Sequence, residues 1–256
     1  MSQISSKRQV PEGPIPYTNL EAILVDAGNT LVEMDYALFA ERLRRVGCEL
    51  SGPVLGRAEA AVRPAISRHL AGGSSTEHED AFSHYMRLML ERALAQAGQR
   101  PAPAELERGV RALVALRREP GASLRIWSVR RPDAGPFLEA VRSAGLRVVV
   151  VSNADGTVEQ GLRDRGLAPL LDAVVDSHIV GAEKPDPAIF RHALEIAGSQ
   201  PARTLHVGDM YAVDVVGARR AGCHAVLLDP YGDWEGWECE RVPDLATLAQ
   251  RVTGGR

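Results

Sequence analysis

Residues 22–32 read AILVDAGNTLV. An apolar run ends in an aspartate, and a Gly/Asn turn follows at once. Ile23, Leu24 and Val25 have the character of a buried strand, and Gly28-Asn29 is a turn signal. In open α/β sheets the chemistry lies beyond the carboxyl ends of the strands, so Asp26 stands where a site would be. A carboxylate there can be a nucleophile, a metal ligand or both, or it can merely cap the turn. The rest of the chain has to separate these.

Outward from that stretch the pattern changes twice. From about Asp35 to Arg118 the sequence is helical, with no convincing strand. Tyr36–Val46 carries Leu38, Phe39, Leu43 and Val46 at helical spacing, and Val54–Leu70 continues as a helix with a kink expected near Pro64. AGGSST is a break, after which Thr76 and Glu79 form a capping-box pattern. The segment to Ala97 places Phe82, Tyr85, Met86, Met89, Leu90 and Leu94 on one face, and Pro103–Leu116 makes a further helix. EPGASLRIW, residues 119–127, is a Pro/Gly connector and a candidate boundary.

Beyond it, helix and strand alternate. Helices are expected over Phe137–Gly145, Thr157–Arg165, Pro187–Ala197, Ala212–Ala221 and Leu245–Val252. Strands are expected over Leu146–Val151, Ala173–Val175, Thr204–Val207 and Ala225–Leu228. Several strands are uniformly apolar, which points to a parallel sheet covered on both faces. The fold class is therefore α/β: a Rossmann-like parallel sheet core carrying an inserted all-helical cap domain. The expected division is an N-terminal arm (1–19), a discontinuous core (20–34 and 125–256) and the helical cap (35–124). An insertion directly after a site residue usually covers the site.

The 256 residues carry a formal net charge of −3, with 45% hydrophobic and 25% charged residues, and give no basic footprint for nucleic acid. Cys48, Cys223 and Cys239 form no CxxC pair, so neither a disulfide framework nor a zinc site is indicated. The first residues have no apolar run of signal-peptide type, and no stretch approaches the ~18 residues of a membrane span. The expectation is a cytoplasmic protein with no membrane or nucleic-acid partner. Oligomeric state is not legible.

Three further stretches place polar groups just beyond a predicted strand. VVVVSN ends in Ser152 and Asn153, whose hydroxyl and amide can hold an anionic oxygen or cap the next helix. In GAEKPDPAIF two prolines stiffen the backbone around Lys184, fixing where a long cationic side chain begins. In LHVGDMYAVDVVGARRAG, Asp209 ends a strand and Asp214 lies a turn later. With Asp26 they make an acidic cluster that is costly without a cation, and hard oxygen ligands suit Mg²⁺.

As an ordered set these four stretches, spanning about residues 20–230, resemble the haloacid dehalogenase (HAD) superfamily of aspartate-nucleophile hydrolases. Asp26-Ala27-Gly28-Asn29-Thr30-Leu31 matches the D-x-D-G-T-hydrophobic motif, Ser152 the second motif, Lys184 the third, and Asp209 with Asp214 the fourth. The helical insert looks like the family's type 1 cap, and SNADGTVEQGL with HVGDMYAVDVVGARRAG looks closest to a Reg-2-like subgroup. The resemblance implies a Mg²⁺-dependent phosphatase of a small phosphorylated metabolite. In that scheme Asp26 attacks phosphorus to form an aspartyl-phosphate, and Lys184 and Ser152 stabilise the developing charge. Asn153 and Thr30 join them in holding the phosphate. Asp26, Asp209, Asp214 and the backbone carbonyl of Gly28 would bind the metal.

One departure matters. The family's phosphatases carry an acidic residue two positions after the nucleophile, and here that residue is Gly28. The missing group is a general acid/base worth roughly 100- to 10,000-fold. Either the leaving group needs no proton, or another residue supplies one, or turnover is lost. The cap offers Arg63, Arg68, His69, His78 and His84, each of which has a plain reading as a surface residue. The alternative function is a catalytically impaired ligand- or partner-binding protein. A 2-haloacid dehalogenase is a further alternative, opposed by the Asp209/Asp214 pair and by Gly28 itself, where those enzymes carry an aromatic residue. A Schiff-base phosphonate hydrolase needs a cap lysine, and residues 35–118 contain none. A receiver-type domain would lack the insert, and a P-loop is absent.

Overall fold

A computed structural model describes residues 13–72 and 79–254. Most of the N-terminal arm, the Thr76 half of the capping box, and His78 lie outside the described residues. In chain order the strands are β1 (Ala22–Val25), β2 (Val32–Glu33), β3 (Val129–Arg130), β4 (Arg147–Ser152), β5 (Ala173–Asp176), β6 (Thr204–Gly208), β7 (His224–Leu228) and β8 (Glu240–Val242). The helices are α1 (Tyr36–Arg44), α2 (Gly52–Leu70), α3 (Glu79–Gln96), α4 (Pro103–Arg117), α5 (Ala122–Ile126), α6 (Ala134–Ser143), α7 (Val158–Asp164), α8 (Ser177–Val180), α9 (Pro187–Ala197), α10 (Val216–Arg220) and α11 (Leu245–Thr253).

Six strands form one sheet in the order β5-β4-β1-β6-β7-β8, with every pairing parallel. All four residues of β1 are buried because helices cover both faces of the sheet. Ile23 and Val25 enter one core with Phe137, Leu138 and Leu248, while Ala22 and Leu24 enter the opposite core with Ile189 and Phe190. This is the Rossmann-like α/β core that the alternation predicts. A third core, of Phe39, Leu43, Met86, Met89, Leu90 and Leu113, belongs to the helices between β2 and β3.

Register places the site. Val25 pairs with Val150 on one side and Val207 on the other. Asp26 and Asp209, just past their strands, and Ser152, the last residue of β4, therefore come together at the sheet's carboxyl edge. Strand order reverses on either side of β1, which is the switch point where such sheets bind ligands.

Several details differ from the sequence expectation. Residues 119–127 hold a short helix, α5, rather than only a connector. The expected helix over Ala212–Ala221 opens as a π-helical turn, Tyr211–Val215, and only then continues as α10. Local bonds explain this: Met210 N donates to Asp214 Oδ2 at 2.9 Å, and Ala212 N donates to Ser67 Oγ of α2 at 2.7 Å. Strands β2, β3 and β8 are too short to leave a period-2 signal. Trp234 is buried in the core and Trp237 packs edge-on to it with ring centroids 5.2 Å apart. Among the described residues no helix is long and apolar enough to cross a membrane.

Candidate active site

Asp26 follows β1 with little exposure. Lys184 Nζ donates to Asp26 Oδ1 at 2.5 Å and to Asp214 Oδ1 at 2.7 Å. Besides Lys7 it is the chain's one lysine, in a sequence whose other cations are arginine. A compact ammonium with three donors fits between two carboxylates where a planar fork would not. His206 Nε2 lies 3.0 Å from the same Asp214 oxygen, with its ring edge against Phe190. Burial opposes ionisation of Asp214, but Lys184 and His206 outweigh it and hold the carboxyl well below its usual range. Burial likewise works against the Lys184 charge, and Asp214 and Asp26 overcome it, holding the ammonium above its usual range. Asp26 itself is raised by burial despite Lys184.

The turn after β1 is wound around one carbonyl. Ala27 O accepts from Leu31 N at 2.9 Å and Val32 N at 3.0 Å. Asn29 takes φ 52°, a left-handed conformation that asparagine tolerates better than most residues. Thr30 is wholly buried, and its hydroxyl donates to Asp26 Oδ2 at 3.4 Å. Thr30 thus faces the carboxylate instead of the cavity. Asn153 also differs from a direct phosphate ligand. Its side chain donates to Lys184 O at 2.9 Å and accepts from Lys184 N at 2.7 Å, holding the loop from which the lysine rises. Ser152, Asn153 and Lys184 all line the cavity above Asp26, and Thr30 does not.

Asp26, Asp209 and Asp214 each offer a carboxylate oxygen, and these lie within 4.8 Å of one another. Burial, with Asp26 and Asp214 adding to it and Arg63 opposing, pushes Asp209 up to about 8. Asn29 Oδ1 is buried with no donor. An oxygen-rich cluster whose own charges repel, beside an orphaned carbonyl oxygen, fits a hard divalent cation. Gly28, whose backbone carbonyl the sequence reading added as a ligand, lines the same cavity.

Helix α2 brings a second buried cluster to this edge, which sequence reasoning largely missed. Arg63 Nε donates to Glu59 Oε1 at 2.8 Å and its terminal nitrogen to Oε2 at 2.6 Å. The same Nε lies 3.3 Å from Asp209 Oδ2. Glu59 also accepts from Tyr36, Tyr85 and Asn29, and Asn29 Nδ2 reaches Asp209 Oδ2 at 3.3 Å. Arg63 is therefore no surface residue. The available signal was position: Glu59 and Arg63 fall within the apolar stripe of Leu55, Val62 and Ile66. Of the other cap candidates, Arg68 stacks over Trp237 and His84 over His69, while His69 alone of these lines the cavity.

The cavity, about 210 Å³, lies between the carboxyl edge of the sheet and α2, α3 and α5. Its lining also includes Trp127, just after α5. A Cβ built on Gly28 would come within 3.3 Å of that indole. The connector read as a boundary thus supplies an aromatic wall beside the nucleophile position.

A family model described as haloacid dehalogenase-like hydrolase matches residues 20–222. The chain is 31% identical over 216 residues to haloacid dehalogenase-like hydrolase domain-containing protein 3 of Bos taurus, a match covering 82% of each chain. It is 28% identical over 216 residues to ribulose-1,5-bisphosphate 5-phosphatase of Halopiger xanaduensis, covering 82% of this chain and 84% of that one. Among solved structures, a HAD phosphatase from Thermococcus onnurineus has the same fold, with a TM-score of 0.56 at 23% identity over 93% of this chain and 99% of that one.

Proposed function

The chain belongs to the haloacid dehalogenase-like hydrolases, and from that premise we propose that it is a Mg²⁺-dependent phosphatase of a small phosphorylated metabolite. The observation that carries the proposal is the Asp26–Lys184–Asp214 arrangement at the carboxyl edge, with Asp209 in reach of a shared cation. In this reading the helices between residues 35 and 124 form the cap over the site.

Asp26 is the nucleophile, forming a bond to phosphorus in line with the departing oxygen. Thr30 on one oxygen and Lys184 on the other fix the carboxylate's rotation. Lys184 and the Ser152 hydroxyl hold the phosphoryl oxygens as charge develops on them, and Asn153 keeps the lysine's loop in place. His206 supports Asp214, which anchors Lys184 from the far side. Asp26, Asp209, Asp214 and the Gly28 carbonyl would hold Mg²⁺, which when bound supplies Lewis-acid polarisation of a phosphoryl oxygen. Gly28 leaves the route without its usual general acid/base, and this favours one second reading, a binding protein that retains the site without turnover.

Phosphate release from a panel of metabolite phosphates and an aryl phosphate, with and without Mg²⁺, separates the two. Metal-dependent release that falls by at least ~10⁴-fold in Asp26→Asn is the expected result. Absence of release from every compound, with substrate analogues still binding, would leave the binding protein.

A further inference from the structure

Two observations meet above Asp26. The first concerns position 28. The Trp127 indole packs against both the sheet core and the helical core, and it fills the space into which an acidic side chain at Gly28 would grow. Its N–H is a hydrogen-bond donor that does not ionise at neutral pH. Asp209 is one of the carboxylates that would hold the cation, and among the other described lining residues none replaces the missing acid. Burial and the Glu59 charge keep the Tyr85 hydroxyl well above its usual range. Asp155 stays ionised because bonds from Ser123 and Thr157 outweigh its burial. His69 is exposed, six residues beyond Arg63 and so about 9 Å further along α2.

The second concerns the wall. Beyond Trp127, which stands beside Gly28, the cavity is lined by Met34, Ile66, Leu70, Phe82 and Ile126, while the polar Ser123, Asp155 and Thr157 of the lining bond one another. A polyol body would leave its hydroxyls desolvated against the apolar side chains, whereas an aromatic ring would cover them. Among the described residues lining this part of the cavity, the arginine that could meet a second anionic end is Arg117, which itself lies over Phe82, and the other basic side chain is the exposed His69.

We propose that the substrate is an apolar phosphate whose leaving oxygen departs without a proton, an aryl phosphate or an aromatic acyl phosphate. This rests on the phosphatase reading above. A carboxylate oxygen of Asp26 bonds to phosphorus as the bond to the leaving oxygen breaks, and the electron pair departs on an aryl oxide or a carboxylate. Such anions have conjugate acids of pKa about 10 and about 4, against about 15.7 for water, the nearest guide to a simple alkoxide. Water oxygen then bonds to phosphorus and the Asp26 carboxylate is regenerated. Both water protons leave with inorganic phosphate, and one passes through solvent to the aryl oxide where that is the product.

The test is initial-rate kinetics on the full chain with Mg²⁺, using ring-substituted phenyl phosphates, benzoyl phosphate, acetyl phosphate, glycerol phosphate and glucose 6-phosphate. Aryl and benzoyl phosphates are expected to exceed the alkyl esters in kcat/KM by roughly 10²- to 10⁴-fold, the worth of the absent acid. Benzoyl phosphate should exceed acetyl phosphate by roughly tenfold or more through burial of its ring. Their leaving groups are of similar acidity, so this ratio reports the wall. Gly28→Asp paired with Trp127→Leu should narrow the aryl-to-alkyl gap, and Gly28→Asp alone should not. A kcat/KM for the alkyl esters equal to that for the aryl esters, or for acetyl equal to benzoyl phosphate, overturns the substrate class and leaves the phosphatase standing. Fast alkyl turnover that disappears in His69→Gln would name another acid and overturn it too. No phosphate from any substrate and no phosphorylated Asp26 overturns the phosphatase reading itself.

Discussion

Two buried charge clusters share one edge of this molecule, and they are built differently. The cluster around Asp26 draws on β1, the Lys184 loop and the β6 end, where three carboxylates gather and one ammonium bridges two of them. The cluster around Glu59 pairs one carboxylate with one guanidinium a single helical turn away, and two tyrosines and Asn29 complete it. The second matches one carboxylate to one guanidinium, while the first has more carboxylates than cations, so that burial and mutual repulsion raise Asp26 and Asp209, and it opens toward a cavity. An unbalanced buried cluster is costly unless something arrives to complete it. The contrast separates a site from a tie between helix and sheet, with Asp209 and Asn29 belonging to both.

Lys184→Met strikes the unbalanced cluster hardest. It is expected to lower phosphate release by about 10²–10³-fold, as for loss of one charge-stabilising donor. It also leaves Asp26 and Asp214 without their cation, at a stability cost of about 3–5 kcal/mol in urea unfolding. A variant of unchanged stability would mean that the ammonium does not tie Asp26 to Asp214.

Glu59→Gln strands the Arg63 guanidinium, and is expected to cost about 3 kcal/mol, because Asp209 remains as a partial partner. Combining Glu59→Leu with Arg63→Met should recover most of that stability, since a balanced buried pair is often replaceable by apolar side chains. The same urea experiment on single and double variants measures this, and failure of the double to recover would assign the pair a role beyond docking.

The most gradual effect is on pH. Asp209, raised to about 8 from an ordinary 3.8, binds its proton more tightly folded than unfolded. In cation-free protein its contribution to stability is complete below about pH 4 and is lost as pH rises toward about 8, with a slope of up to about 1.4 kcal/mol per unit. Asp26, raised by burial, acts in the same direction. Asp214, held low, contributes stability above 3.8 that is lost only on acidification, so it does not mask this window. Unfolding midpoints across the window in chelator should therefore fall with pH, and Asp209→Asn should flatten the trend.

How far sequence reached follows the same division. Asp26, Ser152 and Asp209 were legible because each sits where an apolar strand ends, and parallel register converts that local signal into proximity, while Lys184 and Asp214 were legible from the prolines and the turn spacing around them. The α/β fold followed from the same alternation. Glu59 was not legible, because a charged residue on a helix shows its burial only once the helix is docked. Thr30 and Asn153 lie where the motif puts them, but their rotamers turn them to Asp26 and to the Lys184 backbone. Trp127 comes from a segment whose Pro and Gly signalled a boundary, and its contact with Gly28 is purely tertiary.

The two short strands β2 and β3 run antiparallel, Val32 opposite Arg130 and Glu33 opposite Val129. The chain therefore departs toward the helices and comes back at adjacent points. Closing a loop through such a neck costs only about 0.6 kcal/mol more for each doubling of its length. Strand β1 and its register are indifferent to what hangs from the neck. Descent can thus lengthen, shorten or exchange the intervening helices as a cassette, provided that whatever replaces α2 still meets Asn29, Asp209 and Ala212 at the carboxyl edge.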